Sequence, residues 1–313
     1  MYAYVLHRLI AALPVLLVVA LFVFLLLHIT PGDPAIVIAG DLASAEELER
    51  IRQQLGLDRP LHLQFIAWIW RLAQGDLGLS IFSKLPVTTL IAQRLEPTIM
   101  LTLLTTVIAI AGAIPLGVIA AARAGTGLDR MLMGVSVLGF SVPIFVLGYG
   151  LIQLFAVTLD LLPVQGYAPL ATGPWKSLRS LMLPSLALGL VYFALIARMT
   201  RASMLDVLSE DYIRTAHAKG VAPGPILLVH ALKNAAIPIV TTIGMGVALL
   251  LGGVVVTETV FNIPGLGRLT VDAILRRDYP VIQGVILLFS LVYVCVNLAV
   301  DLVYTVIDPR IRY

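Results

Sequence analysis

The stretch PTIMLTLLTTVIAIAGAIPLGVIAA, residues 97–121, contains no charged side chain. About 20 apolar residues in a helix are enough to cross the hydrocarbon of a bilayer. Inside lipid every backbone polar group must be bonded within the chain, so a spanning segment of this kind is expected to be helical. The stretch therefore predicts a transmembrane helix, and the same pattern recurs on both sides of it.

Five further apolar stretches of comparable length lie at about 9–29, 132–158, 183–200, 237–258 and 284–306. Hydrophobic residues make up 59% of the 313 residues and charged residues 12%, with a mean hydropathy of +0.99. A soluble domain carries about 25% charged residues, so this chain has too few polar groups to cover its surface in water. We predict an all-α polytopic membrane protein with six transmembrane helices. The first stretch is longer than the core of a signal peptide, so we interpret it as a retained span.

The distribution of Lys and Arg over the short loops predicts the orientation of the chain. An even number of spans puts both termini on one side, and the segments on that side hold ten of these residues, against five in the two short loops opposite. We therefore expect both termini in the cytoplasm. The formal net charge is only +3, and no basic stripe with interleaved aromatics indicates a nucleic-acid partner.

The long segment from Thr30 to Glu96 carries signals for two short helices. Ser44 followed by Glu47 is a capping box, and Gly56 suits the left-handed position that ends a helix. Pro60 is suited to begin the second helix, whose two tryptophans favour a membrane interface. We predict an external subdomain on the outer leaflet, and the alternative is a plain connection.

No catalytic motif is present in the sequence. It lacks a phosphate-binding G-x-x-x-x-G-K-[ST] loop, an H-E-x-x-H pair and a G-x-S-x-G elbow. Two features inside the spans leave alternatives open. Asp301 indicates either a proton relay or a contact with another helix. The glycines of the fifth span, Gly244, Gly246, Gly252 and Gly253, indicate either close helix packing or a helix that lines a path.

The cytoplasmic loop between the fourth and fifth spans is the most informative segment. Ser209 is expected to cap a short helix with Glu210 and Asp211 in its first turn, where the helix dipole favours anions. Gly220 is expected to end this helix, and a second helix then runs towards Pro238. Ala216, one turn before the bend, leaves room for a partner surface. The alternative is a solvated hairpin.

The run Arg214-Thr215-Ala216-His217-Ala218-Lys219-Gly220 resembles the E-A-A-x-x-x-G loop of ABC importer permeases. Ala216 falls on the second Ala and Gly220 on the Gly, whereas Arg214 and Thr215 replace the Glu and the first Ala. His230 and Lys233 likewise replace the Ile and Pro of the I-x-L-P that follows in the general motif.

These departures match one subfamily, the dipeptide, oligopeptide and nickel permeases, and within it the first-permease type. Its pattern E-D-Y-I-R-T-A-x-A-K-G, followed by H-A-L-K-N-A-x-I-P, is kept here. Further motifs in the same order are P-G-D-P at 31–34, L-G-L-D-R-P at 55–60, G-D-L-G at 75–78, E-T-V-F-N-I-P-G-L-G-R-L at 258–269 and D-P-R-I-R-Y at 308–313. The resemblance therefore covers the whole chain.

The resemblance implies a type I ABC importer permease fold with three regions. Residues 1–96 form the first helix and the external helical subdomain. Residues 97–306 form the permease domain, with a coupling loop at about 201–236, and residues 307–313 form a cytoplasmic tail. The coupling loop of this family docks on a cytosolic ATPase. The residues at that contact would be Glu210, Asp211, Arg214, Thr215, Ala216, Lys219 and Gly220. No cofactor is expected in this chain, because ATP and Mg are bound by partner subunits.

The resemblance also implies the partners. They are a second homologous permease, two cytosolic ATPases and an external substrate-binding protein, all at a bacterial inner membrane. The translocation path would lie between the two permeases. The outer residues expected to gate its mouth or to contact the binding protein are Glu258, Arg268, Arg276, Arg277 and Asp278; the alternative is that they are simple solvated charges.

The expected function is ATP-driven import of di- or oligopeptides. Nickel complexes, glutathione and other small conjugates are alternatives within the same machinery. An ion-coupled secondary transporter is a different class, which should show mid-span ionisable groups and inverted repeats, and neither is clear here. Uptake that resists proton uncouplers but requires ATP separates the two classes. A membrane enzyme or receptor is the remaining class, and co-purification with ATPase subunits separates it from a permease.

Overall fold

A computed structural model describes residues 2–29, 36, 44–55 and 58–307, and within these the regular elements are helices, with one isolated bridge between Leu79 and Pro86. The all-α class is confirmed. The motif at 31–34, the glycine at position 56 and the tail at 308–313 lie outside the described residues. The longer described helices, numbered α1 to α11, are Tyr2–Ile29, Ala45–Leu55, Leu61–Ala73, Val87–Ala122, Gly127–Ser141, Ile144–Leu151, Pro174–Leu208, Asp211–Ala218, Leu232–Val260, Leu266–Arg276 and Tyr279–Ile307.

Each of the six predicted spans overlaps helical structure. In the described part of the chain, four helices are long and apolar enough to cross a membrane, Val87–Ala122, Pro174–Leu208, Pro223–Val260 and Tyr279–Thr305. A bent pair made of α5 and α6, which continues through a π-helical segment to Thr158, gives a fifth candidate if the pair counts as one span. At the first position, α1 carries a shorter apolar stretch, Ile10–Leu26.

The third predicted span, at about 132–158, is made of two helices and not of one straight helix. Helices α5 and α6 meet at an angle of 103°. Val142 between them is extended, with φ −87° and ψ 128°, and Pro143 precedes the first residue of α6. Clash with the proline ring disfavours helical geometry in the preceding residue, and this accounts for the break.

The fifth predicted span begins earlier than expected. A helical turn at Pro223–Pro225 and a π-helical segment at Ile226–Ala231 lead directly into α9. The second short helix of the loop and the fifth span are therefore one segment, Pro223–Val260, which passes through Pro238 without ending there.

The chain forms two compact units. The first is drawn from the described residues of Met1–Leu95 together with Leu269–Val294. The second is drawn from Glu96–Arg268 together with the described residues of Cys295–Tyr313. Helices α4, α10 and α11 contribute residues to both.

In the first unit, α3 packs against α1 through aromatic rings. The ring of Phe24 lies 5.3 Å from that of Phe65 and 5.7 Å from that of Trp68, measured between centroids. Gln283 of α11 donates to the carbonyl of Val23 at 3.3 Å. The two short helices predicted between the first two spans are confirmed as α2 and α3, and Ser44 directly precedes α2.

In the second unit, α7 is the central helix and packs against α5, α6 and α9. Of its most apolar stretch, 61% is buried, the largest share among the four long helices. The residues Ala187, Leu188, Tyr192, Ile196 and Ala197 of α7 belong to the main hydrophobic core.

Glycines of α9 allow this close packing. A Cβ atom at Gly246 would overlap the ring of Tyr192, and one at Gly253 would meet Leu188. Gly244 is in similarly close contact with α11, whereas Gly252 has no neighbouring atom within 4 Å of the position where its Cβ would lie. Close packing thus explains three of the four glycines.

We predict that Gly246→Ala destabilises the protein by about 1–3 kcal/mol, because the added methyl overpacks the site beside Tyr192. Gly252→Ala is the matched control in the same helix, and it should leave stability unchanged or raise it, because the site is open and alanine is the better helix former. Thermal unfolding of the two purified variants in detergent measures the difference. Equal midpoints would contradict the packing role.

Candidate functional site

The first candidate site is the α8 hairpin, residues 209–231, and its entry differs from the prediction. Helix α8 begins at Asp211 with Glu210, extended at φ −70° and ψ 147°, as its N-cap residue. Ser209 instead ends α7, and its hydroxyl donates to the carbonyl of Asp206 at 2.7 Å. The prediction that Ser209 caps α8 was therefore wrong; Asp211 is in the first turn as predicted, whereas Glu210 is the N-cap residue.

Gly220 ends the hairpin helix as predicted. It lies in the left-handed region at φ +79°, and its N–H donates to the carbonyl of His217 at 3.0 Å. The N–H of Val221 donates to the carbonyl of Ala216 at 3.2 Å, which closes the turn. Space is open around Gly220, so the requirement for glycine here comes from backbone conformation.

One face of α8 is anchored in the protein. Ile213 is fully buried in a cluster that includes Val118 of α4, Met204 of α7 and Ala235 of α9. Ala216 is partly buried and packs against the same cluster. Its small side chain thus serves packing within the chain, which changes the sequence-based interpretation that it leaves room for a partner.

The other face of α8 is polar and exposed. Asp211 near its beginning pairs with Arg214 at 3.1 Å, and Thr215, Lys219 and Gly220 are also exposed. Acidic groups near the N-terminus and basic groups near the C-terminus match the helix dipole. Of the predicted coupling residues, the exposed ones are thus Glu210, Asp211, Arg214, Thr215, Lys219 and Gly220.

Tyr212 adds an aromatic group to this exposed face. Partial burial, followed by the nearby charge of Glu210, raises the pKa of Tyr212 above the ordinary value. The face therefore presents hydrogen-bonding, charged and aromatic groups on a rigidly held helix. It contains no pair of a nucleophile and a base, and the described residues contain no cluster of three or more metal-ligating side chains. Its chemistry suits docking to another protein.

The second candidate site surrounds Glu258, near the end of α9. Its side chain is fully buried. The hydroxyl of Thr98 donates to one carboxylate oxygen at 2.5 Å, and the backbone N–H of Arg268 donates to the other at 3.0 Å. Thr98 also accepts from the N–H of Leu266 at 2.8 Å. The carboxylate therefore caps the N-terminus of α10, where the helix dipole favours a negative charge.

Glycines allow the approach of this capping carboxylate. A Cβ atom at Gly265 would overlap the carboxylate of Glu258, and one at Gly267 would press on the backbone of Val255. The prediction that Glu258 contacts an external partner does not fit this arrangement, because both carboxylate oxygens accept hydrogen bonds inside the protein.

Asp278, in the first compact unit, is also buried, at 5% exposure. Its carboxylate accepts from the hydroxyl of Ser80 at 2.5 Å and from the N–H of Ile81 at 3.1 Å. It holds the segment after α3 in place. Contact with a partner through this side chain is likewise inconsistent with its surroundings.

The three predicted arginines differ from one another. Arg268 is half-buried and its guanidinium donates to the side-chain oxygen of Asn262. Arg276 and Arg277 are exposed at the end of α10. These two are the members of the predicted outer set whose side chains are available to another molecule.

Sequence reasoning missed a partly buried ion pair between α5 and α7. The guanidinium of Arg201 makes two bonds to the carboxylate of Asp129, at 2.6 and 2.7 Å. The same carboxylate accepts from the N–H of Gly125 at 2.9 Å. The sequence held a partial signal, because Asp129 is in the first turn of a helix that follows Thr126. Nothing in the pattern identified Arg201, 72 residues away, as its partner.

A second missed contact ties the loop after α6 to α4. Glu96 accepts from the hydroxyl of Tyr167 at 2.6 Å and from the N–H of Leu170 at 2.8 Å. Burial, followed by the bond to Glu96, raises the pKa of Tyr167 to about 12. The N–H of Gly166 also donates to the carbonyl of Phe261 at 2.9 Å, so this loop is held at several points.

Comparison with protein families gives two matches that together cover nearly all of the sequence. Residues 113–313 match the model described as "Binding-protein-dependent transport system inner membrane component". Residues 1–102 match "Binding-prot-dependent transport system membrane comp, N-term".

Two named relatives align over nearly the full length of the chain. The "Probable peptide ABC transporter permease protein y4tP" of Sinorhizobium fredii is 52% identical over 312 residues, 99% of each chain. The "Glutathione transport system permease protein GsiC" of Escherichia coli K12 is 49% identical over 310 residues, again 99% of each.

Two crystal forms of the MetNI methionine ABC transporter in inward-facing conformations share the fold. Their TM-scores are 0.59 and 0.60 at 18% identity. The matches cover 70% and 71% of this chain and 96% and 97% of the transporter chains.

We predict that Glu258→Ala lowers the free energy of unfolding by on the order of 3 kcal/mol, because it removes a charged acceptor from two buried donors. Glu49→Ala, at an exposed position on α2, is the control and should change little. Thermal unfolding in lipid nanodiscs measures both. An equal effect of the two substitutions would rule out the capping role.

We also predict that Arg201→Ala destabilises the protein more than the double variant Asp129→Ala, Arg201→Ala. The single substitution leaves a buried carboxylate without its charged partner, whereas the double removes both charges. The order of the unfolding midpoints should be wild type, double variant, single variant. A double variant less stable than the single one would contradict the pairing.

Proposed function

This chain belongs to the family of binding-protein-dependent transport system inner membrane components, the permease subunits of ABC importers, and on that basis we propose that it imports peptides delivered by an external binding protein. It is a multi-pass membrane protein and a transport component, not an enzyme. Membership in the family implies partner ATPases and a substrate-binding protein.

The observation that carries the coupling proposal is the two-sided character of α8. Its buried face is fixed by Ile213 to a cluster built from α4, α7 and α9, while its polar face is exposed. A force applied to the exposed face is therefore passed to three helices at once, because close-packed interiors transmit displacement. This arrangement supports docking of an ATPase on the exposed coupling residues. Ala216 would help to position the helix from its buried face.

The proposed partner arrangement rests on membership in this family. We infer two ATPases, a second homologous permease and a translocation path between the two permeases. The excess of Lys and Arg in the segments around Arg123, α8 and the tail supports cytoplasmic termini. ATP and Mg would then be bound by the ATPases on that side, and Arg276 and Arg277 would face the external binding protein.

The substrate proposal rests on the relatives. One relative is named as a peptide permease and another as a glutathione permease, at similar identities. Di- or oligopeptides are our first candidate and glutathione the second. Uptake by the reconstituted complex with its binding protein, using labelled dipeptides, longer peptides and glutathione, decides between them. Uptake of a sugar or an inorganic anion instead of all three would refute the assignment.

We expect Gly220→Asp to abolish ATP-dependent uptake while the chain remains in the membrane, because a charged side chain is added at the exposed bend of the coupling helix. Gly75→Asp is the matched control, since Gly75 has almost the same φ, +80°, and equally open surroundings, far along the sequence from α8. Co-purified ATPase and its activity are measured beside uptake. Normal uptake and normal ATPase assembly in Gly220→Asp would refute the coupling role.

We expect the charge reversal Arg276→Glu, Arg277→Glu to raise the concentration of loaded binding protein needed for half-maximal uptake. Exposed charges at an interface mainly govern the rate of association. Lys176→Glu reverses another exposed charge, in the first turns of α7, and should have a smaller effect. The half-maximal concentration is measured at two salt concentrations. An unchanged value in the double variant would exclude the contact.

A further inference from the structure

Helix α3 joins the protein through one face only. Phe65 and Trp68 lie against Phe24 of α1, and Ile69 and Leu72 on the same face are partly buried. Phe24 is itself 5% exposed and lies five residues before the end of α1, a distance of about 7.5 Å along the helix axis. Helix α3 therefore lies beside the end of an apolar helix.

The opposite face of α3 is apolar as well. Leu63, Ile66 and Trp70 follow one another at intervals of three and four residues, so they share one side of the helix. Trp70 is 67% exposed and Ile66 62% exposed. A helix on a water-facing surface would carry polar groups on this side.

Polar side chains of α3 occupy its narrow edges. Gln64 and Arg71, seven positions apart, fall on one edge, and His62 falls on the other. The helix thus has two broad apolar faces, separated by the edge of Gln64 and Arg71 on one side and by the edge of His62 on the other. Such a distribution suits a helix lying in the plane of a membrane, with the polar edge towards the headgroups.

We propose that the face formed by Leu63, Ile66 and Trp70 is embedded in lipid, in the leaflet at the carboxyl end of α1. The observation that selects lipid is the position of Phe24 inside the apolar stretch Ile10–Leu26. Other side chains of that stretch, such as Val18 and Phe22, are 65% and 61% exposed and meet the same surroundings. An apolar face held beside this stretch therefore lies at the same level along α1 as exposed apolar side chains.

The side-chain chemistry of α3 agrees with this position. Tryptophan is enriched at membrane interfaces, where its ring lies at the headgroup level. Arg71 on the polar edge can extend to a lipid phosphate while its methylene groups remain in apolar surroundings. Helix α3 would then anchor the segment between α1 and α4 to the bilayer. This inference goes beyond the proposed function and does not depend on the substrate.

Nitroxide labelling of the full chain tests the proposal. In a Cys295→Ala background, Ile66→Cys, Trp70→Cys and Arg71→Cys are labelled before assembly with the partner subunits and reconstituted in liposomes of phosphatidylethanolamine and phosphatidylglycerol. Collision with oxygen reports lipid, and collision with a nickel chelate reports water. We expect the ratio of oxygen to nickel accessibility to be severalfold higher at positions 66 and 70 than at 71.

Two results would overturn the proposal. High nickel accessibility at 66 and 70 would place this face in water. Low accessibility to both reagents would show that a protein, either the external binding protein or the second permease, covers it.

Native tryptophan fluorescence gives a measurement that needs no label. The chain has three tryptophans, Trp68, Trp70 and Trp175, so the variant Trp68→Phe, Trp175→Phe retains Trp70 alone. In liposomes of the unassembled full chain, brominated phospholipids should quench this tryptophan severalfold more than aqueous iodide does. Stronger quenching by iodide would refute the lipid contact even if a labelled variant failed to fold.

Discussion

Inside a bilayer, a backbone N–H or C=O group has no water to bond, and each unpaired group costs several kcal/mol. The spanning segments of this protein meet that requirement as helices, so the difficulty moves to the helix ends and the connections between them. Three buried carboxylates act there. Glu258, Asp278 and Asp129 each accept one backbone N–H, Glu258 from the first turn of α10 and the two aspartates from connecting segments. Each also accepts from one side-chain donor, through a single bond in Glu258 and Asp278 and through two bonds in Asp129. The donors are a threonine, a serine and an arginine.

This use of acidic side chains changes the interpretation of the loops that the sequence predicts to be external. Charged residues in loops of a transporter are natural candidates for gating or partner contact, and the sequence pointed to five of them. Glu258 and Asp278 are buried and hold connections in place, and Arg268 bonds to Asn262 in its own loop. Arg276 and Arg277 keep their side chains exposed, and the proposed contact with a binding protein therefore rests on them.

In the proposed coupling, an ATPase acts on this permease through an element that is both exposed and firmly held. Helix α8 combines the two properties, because Ile213 is buried while the neighbouring charged residues are not. The segment that follows it continues without interruption from Pro223 to Val260, where Glu258 caps α10. A displacement at the hairpin thus has a continuous helical connection to the opposite end of α9, and the tight contact of Gly246 with Tyr192 joins that helix to α7.

The sequence by itself determined the class, the approximate positions of the apolar helices, the two short helices before α4 and the bend at Gly220. These features follow from local properties: the length of an apolar stretch, the positive φ angle that glycine permits, and the preference for acidic residues near the N-terminus of a helix and basic residues near its C-terminus. Only the tertiary structure decided that Ala216 faces inward, that the third span breaks by 103°, and that Glu258 and Asp129 are buried with Thr98 and Arg201. Burial and hydrogen bonding bring together residues that are far apart in sequence, and Thr98 and Glu258 are separated by 160 positions. A local sequence pattern therefore does not identify the distant residue with which a side chain pairs.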